Sequence, residues 1–146
     1  MNKKIEKLII LFIAILITTA CSYRTAISIN DKIILPEAVT ENVKFTRYFR
    51  DGQDFVVFKY EEKQKNEIIK KYNLKKISNS NIEEVQKVID DFYDRLNQKN
   101  KKIFDKTIKK EELIRYGNYY LIRYEEYNRF TVLIFNEDNL YYFKEM

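Results

Sequence analysis

The chain contains no histidine and no tryptophan, a single cysteine, a single proline and two glycines. Without histidine there is no Ser–His or Cys–His nucleophile pair and no imidazole to hold a metal ion. With one cysteine there is no internal disulfide, so any folded domain is held by its core alone. Gly52, Gly117 and Pro36 are the only such breaks, and long irregular loops are therefore not expected. The side-chain chemistry that remains is that of carboxylates, lysines and tyrosines. No cofactor and no metal site is expected.

The charge balance is mild. Lys and Arg number 27 against 22 Asp and Glu, a formal net charge of +5. Loss of the first 20 residues would remove Lys3, Lys4, Lys7 and Glu6 and lower it to +3. Lys, Asn, Ile and Tyr are all abundant and share A/T-rich codons, so the surplus does not argue for a nucleic-acid partner, and none is expected. Apolar residues make up 45% of the chain and aromatics 15%, enough to exclude disorder as a description of the whole.

What is present is concentrated at the N-terminus. Lys3, Lys4 and Lys7 precede an apolar run from Leu8 to Ile17, which closes Thr18-Thr19-Ala20-Cys21. A basic start, a short apolar stretch and a small-residue end are the layout of a secretory signal peptide. Ile17-Thr18-Thr19-Ala20-Cys21 resembles the lipobox of bacterial lipoproteins, a likeness that covers residues 1–21 only. The resemblance implies a diacylglyceryl group on the Cys21 thiol, cleavage just before it and, often, acylation of the new N-terminus. Residues 1–20 would then be a cleaved signal, 21–31 the lipidated cysteine with a short tether, and 32–146 a single globular domain. The implied location is the non-cytoplasmic side of a bacterial membrane, inner or outer undetermined. Acyl chains contribute about 0.8 kcal/mol per buried methylene, so two or more make a stable anchor. Nine tether residues, Ser22–Asn30, reach roughly 15–18 Å and keep the domain near the bilayer.

Two other readings of the same residues stay open. Leu8–Tyr23 is a stretch of 16 uncharged residues, about 24 Å as a helix against a hydrocarbon core of about 30 Å, a short uncleaved anchor. A plain secretory signal with Cys21 merely following Ala20 is the other.

Behind the tether, Ile33-Ile34-Leu35 before Pro36 reads as a short edge strand. Val43–Arg50 and Asp54–Glu61 are strand-like runs joined by Asp51-Gly52, a strong hairpin signal. Glu62–Tyr72 has Ile68, Ile69 and Tyr72 at helical spacing, with Asn73 suited to end it. Ile77–Asn81 reads as a polar connection. Ile82–Asn97 is the clearest helix, with Ser80 and Glu83 as a capping box and Val85, Val88, Ile89, Phe92 and Leu96 on one stripe. Opposite charges four apart, Glu83–Lys87, Lys87–Asp91 and Asp91–Arg95, are expected to support it. Gln98–Lys110 is basic and weakly periodic, and Glu111–Tyr116 predicts a helical turn closed by Gly117. Tyr119–Tyr127, Phe130–Phe135 and Leu140–Lys144 are three strand-like runs with turns at Asn128-Arg129 and Asn136–Asn139. The order predicts an α+β fold: an antiparallel sheet of about five strands, built from an N-terminal hairpin and a C-terminal meander, with two main helices on one face.

Candidate sites are few. Asp51 and Asp54 flank the hairpin turn at a spacing that suits paired-carboxylate chemistry, but Asp is a favoured turn residue. Asp90, Asp91 and Asp94 are oxygen ligands of the kind hard cations take, yet they fall on the solvent side of their helix among Lys87 and Arg95. The run 95–110 holds seven basic residues and one acid. Within and beside it, Lys99, Lys101, Lys102, Lys109 and Lys110 are candidates for contact with anionic headgroups or an acidic partner. Tyr119, Tyr120, Tyr141 and Tyr142 are candidates for stacking on a glycan. No catalytic constellation emerges. The reading is a small membrane-anchored envelope lipoprotein acting as a non-catalytic interaction or structural module, with a glycan- or cell-wall-binding domain as the alternative and a carboxylate-dependent enzyme behind it.

Overall fold

The computed structural model describes residues 28–29, 33–46 and 52–146. The expected signal, Cys21 and residues 47–51, with Asp51 among them, lie outside the described residues. The chain divides into two compact units, Met1–Glu37 and Ala38–Met146. In the first, strands β1 (Ser28–Ile29) and β2 (Ile33–Ile34) pair antiparallel, Ser28 opposite Ile34 and Ile29 opposite Ile33.

The second unit is α+β. Strands β3 (Thr40–Phe45), β4 (Gln53–Lys59), β5 (Lys75–Lys76), β6 (Tyr119–Tyr124), β7 (Phe130–Asn136) and β8 (Asn139–Glu145) form one antiparallel sheet in the order β3-β4-β8-β7-β6-β5. Four helices lie between β4 and β6: α1 (Glu62–Lys71), α2 (Ile82–Arg95), α3 (Gln98–Thr107) and the single turn α4 (Lys110–Leu113). The expected meander forms, and the first hairpin forms with other bounds: β3 ends at Phe45, opposite Phe55, a register that a two-residue Asp51-Gly52 turn would not give. The two join because β8 pairs with β4 along seven residues, from Gln53 opposite Glu145 to Lys59 opposite Asn139. That long-range pairing makes one sheet of two local units.

The core sits under α2–α4. Alternation places Phe55, Phe143, Val132, Ile134, Tyr141 and Tyr120 on the face that meets Val85, Val88, Ile89 and Phe92 of α2, Phe104 of α3 and Leu113 of α4. Its centre is aromatic. Phe55 and Phe143 stack at 4.9 Å between ring centroids, Phe92 meets Phe143 edge-on at 5.2 Å, and Phe104 lies 5.4 Å from Phe55. Such pairs contribute about 0.5–1.5 kcal/mol each beyond simple burial. The reverse face of the central strands is apolar as well: Val56, Phe58, Leu133, Phe135, Leu140 and Tyr142 are buried. At one end of it Tyr60 meets Phe135 edge-on, and Lys65 of α1 lies over the Phe135 ring.

Several local expectations are corrected. Ser80 does not cap α2: the cap position is Asn81, whose side chain accepts from Ser78 N–H at 2.8 Å and donates to Lys76 O at 3.0 Å, while Ser80 meets the Ser78 hydroxyl. A capping box forms instead at α1, between Glu61 and Gln64. Arg95 turns from Asp91 to the sheet, pairing with buried Glu145 at 3.6 Å. Ile77–Asn81 is the expected connection except that Ile77 is buried and exchanges backbone bonds with Gly117 and Asn118, which continue the pairing of a two-residue strand just before it, β5. Gln98–Thr107 is a helix capped by Asn97, which accepts from Asn100 N–H at 2.9 Å. Asn73 (φ 51) takes the left-handed backbone at the end of α1, as its position predicts, whereas α4 already ends at Leu113 and Gly117 (φ 90) serves a separate turn, closed by Asn118 N–H on Arg115 O, that leads into β6. The β6–β7 turn holds Tyr127 and Asn128 at φ 63 and 60, a conformation usual for Asn and uncommon for Tyr.

Two outcomes are expected. Phe104→Ala, which empties the contact between α3 and the sheet, lowers unfolding free energy by about 3–5 kcal/mol in urea titration. Burial pushes the Tyr60 hydroxyl well above its usual pKa, with Glu41 and Tyr72 adding to it, and burial also raises Tyr93, Tyr120, Tyr124 and Tyr141. A group whose pKa is raised by folding stabilises fully below its unfolded value and loses that contribution as pH climbs past it. Stability is therefore level toward neutral pH and falls from about pH 10 upward. Tyr60→Phe makes that fall shallower, as read from the urea midpoint across the alkaline range.

Candidate contact surface: the lysine-rich segment of α3 and α4

The basic run owes its placement to Phe104. One turn of α3 drives that ring into the core, fully buried, while Ile103 and Thr107 are half-buried beside it. At 100° per residue the opposite side of α3 carries Lys99, Lys102 and Lys106 within one narrow arc, and all three are exposed. Asp105, the one acid of α3, accepts a hydrogen bond from the Tyr93 hydroxyl at 3.1 Å.

The structure thus sorts the five candidate lysines into two groups. Lys99, Lys102 and Lys109 are exposed. Lys101 and Lys110 are half-buried and flank the Tyr93 ring, 5.1 and 4.6 Å from its centroid. Lys110 also pairs with Asp90 at 2.6 Å, tying α4 to α2. That bond raises the Lys110 pKa against the opposing effect of burial, and the Tyr93 hydroxyl is raised first by burial and then by Asp105. A cleft of about 430 Å³ opens here, lined by Gln86, Asp90, Lys110, Glu111 and Ile114. Its charged wall is this internal ion pair. Lys106, exposed beside Lys102, belongs with the free group, and only the helical spacing identifies it.

The acidic candidates are dispersed. Asp90 is engaged by Lys110, Asp91 and Asp94 are exposed, and Asp54 is a half-buried strand residue beside Lys144. Among the described residues no group of three or more acids is placed to hold a metal ion. The tyrosine doublets do not form a row. β7 separates β6 from β8, so Tyr120 and Tyr141 flank Ile134 on the helix face, and Tyr119 and Tyr142 fall on the reverse face. Tyr120, Tyr141 and Tyr142 are buried and Tyr119 is half-buried. The exposed rings are others: Tyr116, Tyr124 and Tyr127. Among the described residues no helix is long and apolar enough to cross a membrane.

No family model, no curated protein and no solved structure matches the chain.

The two groups of lysines are expected to behave differently. Lys110→Met removes the link between α4 and α2 and lowers stability by about 0.5–1 kcal/mol, the range of a partly exposed ion pair. Lys99→Met leaves the thermal midpoint where it was. Differential scanning calorimetry of the two variants side by side makes the comparison.

Proposed function

We propose that the chain is a lipid-anchored lipoprotein of the bacterial cell envelope whose domain works through non-covalent contacts rather than catalysis. The support comes from two places. Ile17–Cys21 places a cysteine where lipoprotein processing would modify it, and the domain is folded without any disulfide. The observation that carries the reading is the exposed lysine arc of α3, Lys99, Lys102 and Lys106, uncompensated by the one acid of its helix. Each lysine close to an anionic headgroup surface contributes about 1 kcal/mol. Acyl chains on Cys21 hold the protein at the bilayer, and the lysines bias how it lies there.

The test is made on protein expressed in a bacterial host that processes lipoproteins. Intact-mass measurement is expected to show a chain beginning at Cys21 and heavier by two or three acyl groups, with Cys21→Ser moving the protein out of the membrane fraction. An untrimmed Met1 or a mature form without acyl chains defeats the reading. In a non-acylated Cys21→Ser background, Lys99→Glu/Lys102→Glu/Lys106→Glu is expected to weaken binding to phosphatidylglycerol vesicles by about a hundredfold and to leave binding to phosphatidylcholine vesicles unchanged.

A further inference from the structure

The two edges of the sheet are not equivalent. β3 forms one edge over six residues, and it carries a register shift between Val43 and Phe45 and the charged side chains Glu41 and Lys44. Bulges and charges of this kind are how edges avoid pairing with other chains. At the other edge β5 pairs only Lys75 with Tyr120 and Lys76 with Tyr119. Among the described residues no strand lies outside Leu121–Tyr124, four of the six residues of β6.

The hydrogen bonds identify which backbone groups this leaves open. Ile77 N–H donates to Asn118 O at 2.7 Å, so Asn118 points its carbonyl toward β5, whereas Glu125 N–H donates inward to Arg129 O at 2.8 Å. With the period of two along a strand, Tyr120, Ile122 and Tyr124 direct their amide and carbonyl outward. Lys75 takes those of Tyr120. Ile122 and Tyr124 therefore present two outward N–H and C=O pairs, the spacing an added antiparallel strand would use.

The side chains beside this edge have a definite chemistry. On the helix side lie Ile122, half-buried, and Tyr124, 63% exposed. Above them stands α2: Glu84 Oε2 accepts from the Tyr120 hydroxyl at 3.4 Å, and the carboxylates of Glu84 and Asp91 both bear on the Tyr124 hydroxyl. Glu84 and Asp91 share one side of α2, with Lys87 turned further from the sheet on the helical wheel. A second copy of this chain is a poor occupant, because edge-to-edge pairing would bring two Glu84–Asp91 sets together across the seam, and like charges placed so destabilise a pair.

We propose that the outer edge of β6 over Leu121–Tyr124 is a strand-addition site that takes an extended segment of a partner protein, with Lys or Arg in the side-chain row that lies under α2. This names the kind of partner for the interaction module proposed above. It makes no use of the anchor, so it stands or falls independently of Cys21.

The test selects short random peptides displayed on phage against the full chain in detergent micelles. Enriched peptides are expected to carry Lys or Arg at alternate positions and to slow hydrogen exchange at the Ile122 and Tyr124 amides by about tenfold or more. Tyr124→Pro removes one outward N–H without touching the β6–β7 ladder, and is expected to weaken peptide binding by about tenfold while the thermal midpoint holds. Glu84→Lys/Asp91→Lys is expected to switch the enriched peptides from basic to acidic. The proposal is overturned by an absence of enrichment, by protection at β3 or at no strand, or by the same basic peptides binding the charge-reversed chain undiminished.

Discussion

Four phenylalanines hold this domain in register. Phe55 comes from the first hairpin, Phe143 from the last strand, Phe92 from α2 and Phe104 from α3, and all four are fully buried and linked by five ring contacts with centroids 4.9 to 6.5 Å apart. Each is contributed by a different element, so the cluster cannot form until hairpin, helices and meander have met. In a chain without disulfides, this mutual dependence replaces covalent cross-links. Burying a ring contributes roughly 1.5–3 kcal/mol, which makes any one of the four a large share of the stability typical of a small domain.

The surface follows from that cluster. Because Phe104 points inward, Lys99, Lys102 and Lys106 point outward, and because Tyr93 leans on Phe104 at 5.4 Å, it recruits Lys101 and Lys110 from the same basic stretch into internal contacts. Five candidate lysines adjacent in sequence thus have two different physical roles. The arc left free is compatible with a headgroup surface, and the open edge of β6 with a polypeptide. Both are contacts of the non-covalent kind that the proposed function calls for.

The sheet itself is asymmetric in its protection. Central strands β7 and β8 are buried on both faces, as strands enclosed between layers are, while the flanks differ: β3 is bulged and charged, β6 is only one-third covered. A sheet edge is an energetic liability unless it is blunted or occupied. That contrast is what singles out β6.

Much of the fold is legible in the residues alone. The pairing of the first two long strands (though not its register), the apolar stripe of α2, the left-handed Asn73 and Gly117 and the three strands of the meander are local patterns, set by side-chain period and by which residues tolerate positive φ. The α+β class and antiparallel pairing follow from their order. Tertiary structure decided the rest. Helix α3 was hidden because a single fully buried ring is too narrow a stripe to register as a period, and β5 because two lysines show no alternation. Ser80 lost the cap to Asn81 through bonds to Lys76 and Ser78 that depend on where β5 leads. The tyrosine doublets looked alike in sequence, yet strand alternation splits each between the two faces, β7 stands between β6 and β8, and packing on both faces buries most of the rings. Local propensity acts over a few residues, whereas strand order and the identity of a lysine's partner are set by contacts tens of residues apart.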